Sequence, residues 1–161
     1  IPAKAGITLT VDTVRRLSEI PNIRGIKDSG GDFDRLLQLI NLRRDDFAVF
    51  TGTDSMILWT LIAGGDGAVA ATTNAVPQVV MSIWNKFQEG DIAGARAAQE
   101  SLRALRDAFA LGTMPVVLKT AAHMLGMPAG PARSPAQPLD ASARERLAQA
   151  LSLYHDAARG H

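Results

Sequence analysis

A strand-then-helix rhythm is the strongest constraint on how this chain folds. Residues 23–27, 47–51 and 67–72 are short runs of β-branched, aromatic or small residues. Each ends in a polar or Gly-containing turn, and helical periodicity follows. Residues 33–42 place Leu36, Leu37, Leu39 and Ile40 on a broad apolar face behind the capping residue Asp32. Residues 55–63 form a strongly apolar segment stopped by Gly64-Gly65. Pro77 suits the first turn of a helix reaching about Gln88. An earlier segment, residues 10–20, repeats Val11, Val14 and Leu17 at helical spacing before Pro21-Asn22. Strands joined through helices by short connections are parallel strands with crossovers. Right-handed crossovers set the helices around a barrel or on both faces of an open sheet, and the pattern suits either.

The last third differs. Residues 91–111 read as one long Ala-rich helix and residues 114–125 as another. Residues 126–139 are a connector with four prolines. A final helix, capped by Asp140 or Ser142, is expected to reach about Ala158; Ser142 and Glu145 have the capping-box spacing. The expected organisation is a partial α/β core over residues 1–90 and a three-helix extension over 91–161.

Composition narrows the function classes. With 161 residues and 47% hydrophobic content, the chain can build one sizeable core. Lys and Arg number 17 against 16 Asp and Glu, so no electrostatic footprint for nucleic acid or an anionic membrane is present. The absence of Cys excludes disulfides, thiolate metal sites and a cysteine nucleophile, and is compatible with the cytoplasm, the expected location. His123, His155 and His161 lack ligand-type pairing, so neither a metal nor a cofactor is expected. Gly64-Gly65-Asp66-Gly67 precedes a strand and is therefore read as a turn, not a phosphate cradle.

Lys27 is the most telling residue. It closes a short strand before Ser29-Gly30-Gly31, and the carboxyl ends of parallel strands are where α/β folds bind ligands. Alternation puts Ile23, Gly25 and Lys27 on one face, with Gly25 leaving space beside the lysine stem. A desolvated lysine is a nucleophile toward carbonyls, whereas a strand-end lysine that reaches solvent is merely structural. Three polar exits, Lys27-Asp28-Ser29, Gly52-Thr53-Asp54 and Thr72-Thr73-Asn74, suggest a small polar ligand.

Four stretches carry a family resemblance: Ile1-Pro2-Ala3-Lys4-Ala5-Gly6, Asn22-Ile23-Arg24-Gly25-Ile26-Lys27-Asp28-Ser29-Gly30-Gly31-Asp32, Thr51-Gly52-Thr53-Asp54, and Gly64-Gly65-Asp66-Gly67-Ala68-Val69. In order and spacing they resemble the dihydrodipicolinate synthase / N-acetylneuraminate lyase family. The resemblance implies a (β/α)8 TIM barrel with a C-terminal helical extension. It covers the second half of the family's chain, from just after the fifth strand. A barrel takes about 250 residues, so 161 residues are expected to be about half of such a protein, holding the sixth to eighth βα units.

The resemblance implies a Schiff-base aldolase or synthase acting on pyruvate or a related 2-oxo acid. Lys27 matches the Schiff-base lysine. Gly52 matches a glycine lining the pocket, and Val69 a position whose backbone borders pyruvate. Lys4 falls where dihydrodipicolinate synthases usually carry an arginine that binds the second substrate, and lysine lacks the bidentate fork. A 4-hydroxy-2-oxoglutarate or sugar-derived 2-oxo-acid aldolase is therefore the alternative. The family's acid/base Tyr and its Thr-Thr element fall upstream of residue 1, and Tyr154 does not replace that Tyr. The isolated chain is thus expected to be inactive without the N-terminal half-barrel. Homo-oligomers, and neither nucleic-acid nor membrane partners, complete the expectation.

Overall fold

The computed structural model describes residues 1–154. Contacts divide the chain into two compact units, Ile1–Ala70 and Ala71 onward.

The first unit begins with a single turn, α1 (Pro2–Ala5), which the sequence reading did not anticipate. Pro at its first position suits a helix start, and Gly6, at φ 72°, ends it. Next, α2 (Val11–Ser18) is capped by the Thr10 hydroxyl, which accepts from the Thr13 N–H at 3.0 Å. Then come β1 (Gly25–Asp28), α3 (Phe33–Ile40) and β2 (Ala48–Thr51). Asp32 caps α3, accepting from the Arg35 N–H at 3.0 Å. A 3-10 turn over Asp54–Met56 leads into α4 (Ile57–Ile62), so the expected helix over 55–63 divides in two. The last strand is β3 (Gly67–Ala68).

The sheet order is β1-β2-β3, and both pairs are parallel. Val14 of α2, Leu36, Leu39 and Ile40 of α3, and Phe47 and Val49 at β2 form one buried cluster. Each such side chain contributes about 1.5–3 kcal/mol on full burial. Residues 67–72 do not form one strand. Pairing stops after two residues, and Ala71–Asn74 is a 3-10 turn closed by the Asn74 side-chain N–H to the Ala71 carbonyl at 3.0 Å. The stretch is Ala-rich where strands favour branched residues.

The second unit is helical: α5 (Pro77–Gln88), α6 (Ile92–Ser101), α7 (Arg103–Ala108), α8 (Val116–Met124) and α9 (Ala141–Leu151). Helix α5 packs along α6, and α7 and α8 pack against α9. Ile83, Leu105, Val117, Leu147 and Leu151 are fully buried there.

The single helix expected over 91–111 is broken at Leu102. In a continuous helix the Leu105 N–H would bond the Ser101 carbonyl. Here the Tyr154 hydroxyl stands between them, donating to the Ser101 carbonyl and accepting from the Leu105 N–H at 3.4 Å. A side chain inserted into the helical ladder is a recognised cause of a break. The described residues after Gly90 therefore hold four helices, α6 to α9, with α6 and α7 dividing the segment expected as one. Asp140, not Ser142, caps α9, accepting from the Ala143 N–H at 2.8 Å. The α9 helix ends at Leu151 and a 3-10 turn follows over Ser152–Tyr154. Its expected continuation to Ala158, together with His155 and His161, lies outside the described residues. Among the described residues no helix is long and apolar enough to cross a membrane.

Candidate active site

Register places the residues around Lys27. Gly25 pairs with Ala48, Ile26 with Val49, Lys27 with Phe50 and Asp28 with Thr51; Phe50 pairs with Gly67 and Thr51 with Ala68. Paired residues of parallel strands share a face, and the face alternates along each strand. Ile26 and Val49 pack into the α2/α3 cluster. Gly25, Lys27, Phe50 and Gly67 therefore occupy the opposite face, away from those helices. Ile23 precedes β1 and packs with the helix-side cluster, so it does not share the Lys27 face as alternation alone suggested.

The glycine that makes room for Lys27 is Gly52, not Gly25. A Cβ built on Gly25 would lie 2.5 Å from the Ala48 carbonyl oxygen, so that glycine serves close approach of two backbones. A Cβ on Gly52 would lie 2.4 Å from Lys27 Cε and 1.9 Å from Ser29 Oγ. Gly52 is tied to the end of β1 by its N–H, which donates to the Asp28 carbonyl at 2.6 Å. Lys27 is half-buried. Ser29 Oγ is buried with no hydrogen-bond partner among the described residues. An unsatisfied buried hydroxyl is costly, and a ligand group beside Lys27 would satisfy it. A primary amine so placed is the group that condenses with a ketone.

The helix-side face supports this end of the strand. Asp28 is 7% exposed. Its carboxylate accepts from the Gly30 N–H at 3.0 Å and from Arg35 Nε at 3.2 Å. The Arg35 side chain is only 14% exposed. This pair fixes the turn after Lys27 to α3, and the sequence reading missed it. The seven-residue separation belongs to no strand or helix period, so only the folded turn brings the two together. Thr51, 1% exposed, accepts from the Thr53 N–H at 3.1 Å and shapes the second exit.

The remaining expected site residues fall as follows. Lys4 is exposed on α1. That turn neighbours the loop after β1, since a Cβ on Gly30 would lie 3.8 Å from Pro2 Cγ. Val69 is 56% exposed, one residue past β3, and its N–H donates to the Thr51 carbonyl at 2.8 Å. The expected third exit, Thr72-Thr73-Asn74, is not a strand exit; it lies in the 3-10 turn of the second unit, with Thr72 fully buried. Among the described residues no three metal-ligating side chains cluster.

Comparison with known proteins bears on this geometry. A 4-hydroxy-tetrahydrodipicolinate synthase of Methanoculleus marisnigri is 36% identical over 152 residues, 94% of this chain and 52% of that protein. The crystal structure of dihydrodipicolinate synthase DapA-2 from Bacillus anthracis superposes with a TM-score of 0.88 at 33% identity, covering 93% of this chain and 51% of that one. A prophage protein of the dihydrodipicolinic acid synthase family from E. coli K12, solved in complex with pyruvate, also superposes at 0.88, with 32% identity and 94% and 53% coverage. The chain thus spans about half the length of the relatives it matches. The model of the dihydrodipicolinate synthetase family matches residues 1–154. With a parallel sheet like theirs and a lysine at a strand end, the chain belongs to the dihydrodipicolinate synthetase family.

Proposed function

We propose that this chain supplies the Schiff-base lysine of a pyruvate-dependent aldolase or synthase, and that Lys27 is that lysine. The observation that carries the reading is the packing of Lys27 Cε over Gly52 beside the unpartnered Ser29 hydroxyl, on the sheet face turned away from α2 and α3. The free amine of Lys27 attacks the ketone carbon of the 2-oxo acid. Water leaves, and an iminium forms. The iminium nitrogen takes up the electron pair when the neighbouring methyl loses a proton, giving an enamine. The enamine carbon then bonds the carbonyl carbon of an aldehyde, whose oxygen takes a proton. Hydrolysis returns the lysine; the reverse sequence is aldol cleavage. The iminium is itself the electron sink, so the chemistry calls for no cofactor.

In this reading β1 to β3 are the sixth to eighth strands of a (β/α)8 barrel, residues 1–90 are its last three βα units, and residues 91–161 form the extension. Gly52 and the Val69 backbone border the bound 2-oxo acid. Five further strands complete the pocket and bring the proton-handling residues, so residues 1–161 alone are inactive. The assembled protein is a homo-oligomer.

Incubation of the full-length protein with pyruvate, then borohydride, tests the reading. The expected result is a reduced pyruvate adduct on the peptide containing Lys27; a folded protein unmodified there overturns it. Lys4 on the exposed α1 turn supports a second reading for the acceptor. A lysine in place of the arginine fork favours an aldehyde other than aspartate semialdehyde. Condensation rates with aspartate semialdehyde, set against cleavage of 4-hydroxy-2-oxoglutarate, separate the two.

A further inference from the structure

The second unit holds a cavity of about 400 Å³ bounded by α8, the proline-rich connector and the start of α9. One stripe of α8 supplies Lys119, Thr120 and His123, and α9 supplies Arg144. The spacing explains the stripe: residues 116, 119, 120 and 123 recur on one helical face. Val117, Leu118, Ala121 and Ala122 of the same helix are buried in the core. No Asp or Glu lines the cavity. Among the described residues none of Lys119, His123 and Arg144 has an ion-pair partner. Asp140, the cap of α9, is not in the wall and directs its carboxylate to the Ala143 N–H. The opposite wall is apolar, with Ala132, Ala136 and Pro138 from the connector.

Like-charged groups converging on one space, without a carboxylate among them, raise the local affinity for anions. Arg presents a planar fork to carboxylate or phosphate oxygens, and Lys adds a point charge. The volume falls in the range of small-molecule sites, about 300–1,000 Å³. The apolar wall suits a short carbon skeleton better than a bare inorganic ion. We infer that this cavity is a binding site for a small organic anion, with Lys119 and Arg144 holding its carboxylate or phosphate group and the connector prolines packing on its carbon chain. Its lining comes wholly from the second unit, and the inference does not depend on the proposed reaction.

Calorimetric titration of the full-length protein with glutarate and, separately, phenyl phosphate tests the inference and tells the two headgroups apart. Saturable binding of at least one probe is expected. K119Q/R144Q weakens it at least about tenfold, and R96Q, an exposed arginine outside the cavity, leaves it unchanged. A second readout needs no variant: acylation of Lys119 in the wild-type protein, followed by peptide mass, slows at least about threefold at saturating probe. Binding of neither probe, binding indifferent to K119Q/R144Q, or an unchanged Lys119 acylation rate overturns the inference.

Discussion

The two units bury different chemistry. The first unit buries Asp28, Thr51, Asp54 and Thr60 beside its apolar cluster, with Asp28, Thr51 and Asp54 at the carboxyl ends of β1 and β2. It also leaves Phe33, Leu37, Trp59 and Ile62 exposed. The second unit buries the polar Thr72 and Gln99 within a larger aliphatic set that includes Ile83, Leu102, Leu105, Leu147 and Leu151. Polar groups kept from water cost stability unless they are satisfied. Asp28, Thr51 and Thr60 are satisfied by hydrogen bonds, so the uncompensated cost falls on the Ser29 hydroxyl just after β1, which is buried without a partner among the described residues. The second unit holds its shape by close packing.

If that division is right, substitutions in the two units separate activity from stability. The largest effect is expected at Lys27. Lys27→Arg keeps charge and bulk but cannot form the iminium, so kcat falls by at least about 10³-fold and the pyruvate adduct disappears. An unchanged melting temperature checks that the loss is chemical. At the other pole, Leu105→Ala removes a fully buried side chain and is expected to cost about 2–5 kcal/mol in denaturant unfolding. Adduct formation per folded molecule is unaffected, and a loss of adduct beyond the folded fraction would break the comparison.

Gly52→Ala sharpens it. The new methyl would meet the movable ends of Lys27 and Ser29 rather than backbone. Those side chains shift, folding changes little, and turnover falls by about 10²-fold through misplacement of the amine. Single-turnover kinetics with pyruvate would read that loss. The smallest effect is expected from Tyr154→Phe, at about 1 kcal/mol for the lost hydrogen bonds. Burial pushes the Tyr154 phenol above its ordinary value near 10, outweighing the Leu105 N–H that lowers it. The unfolded phenol therefore loses its proton first as pH rises. Stability is fully present below about pH 10, falls above it, and levels off once the folded phenol ionises. Phe at this position flattens that alkaline limb, which unfolding curves between pH 9 and 12 would show (all about the phenol's range).

Legibility in the sequence followed the range of the forces involved. Local signals placed α3, α5 and the Asp32 cap because hydrophobic period and capping are read within one segment. The strand with Lys27 at its end was equally plain. What escaped depended on distant partners. The break at Leu102 needs Tyr154, the role of Gly52 needs Lys27 and Ser29 on another strand, and the Asp28–Arg35 pair needs the turn between β1 and α3 to close. The shortness of β3 reflects Ala-rich sequence that looked strand-like only in the company of its neighbours.

The Tyr154 contact also sets an order of events during synthesis. The gap between α6 and α7 is filled by a side chain 53 positions beyond Ser101 and 49 beyond Leu105. A ribosome adds about 5–20 residues per second, so the residues of these two helices are made seconds before the one that completes their junction. During that interval the Ser101 carbonyl and Leu105 N–H can bond each other directly, giving an unbroken nascent helix. Arrival of Tyr154 exchanges that bond for the two that its hydroxyl makes, so the final turn of the described chain completes the hydrogen bonding of an earlier helical segment.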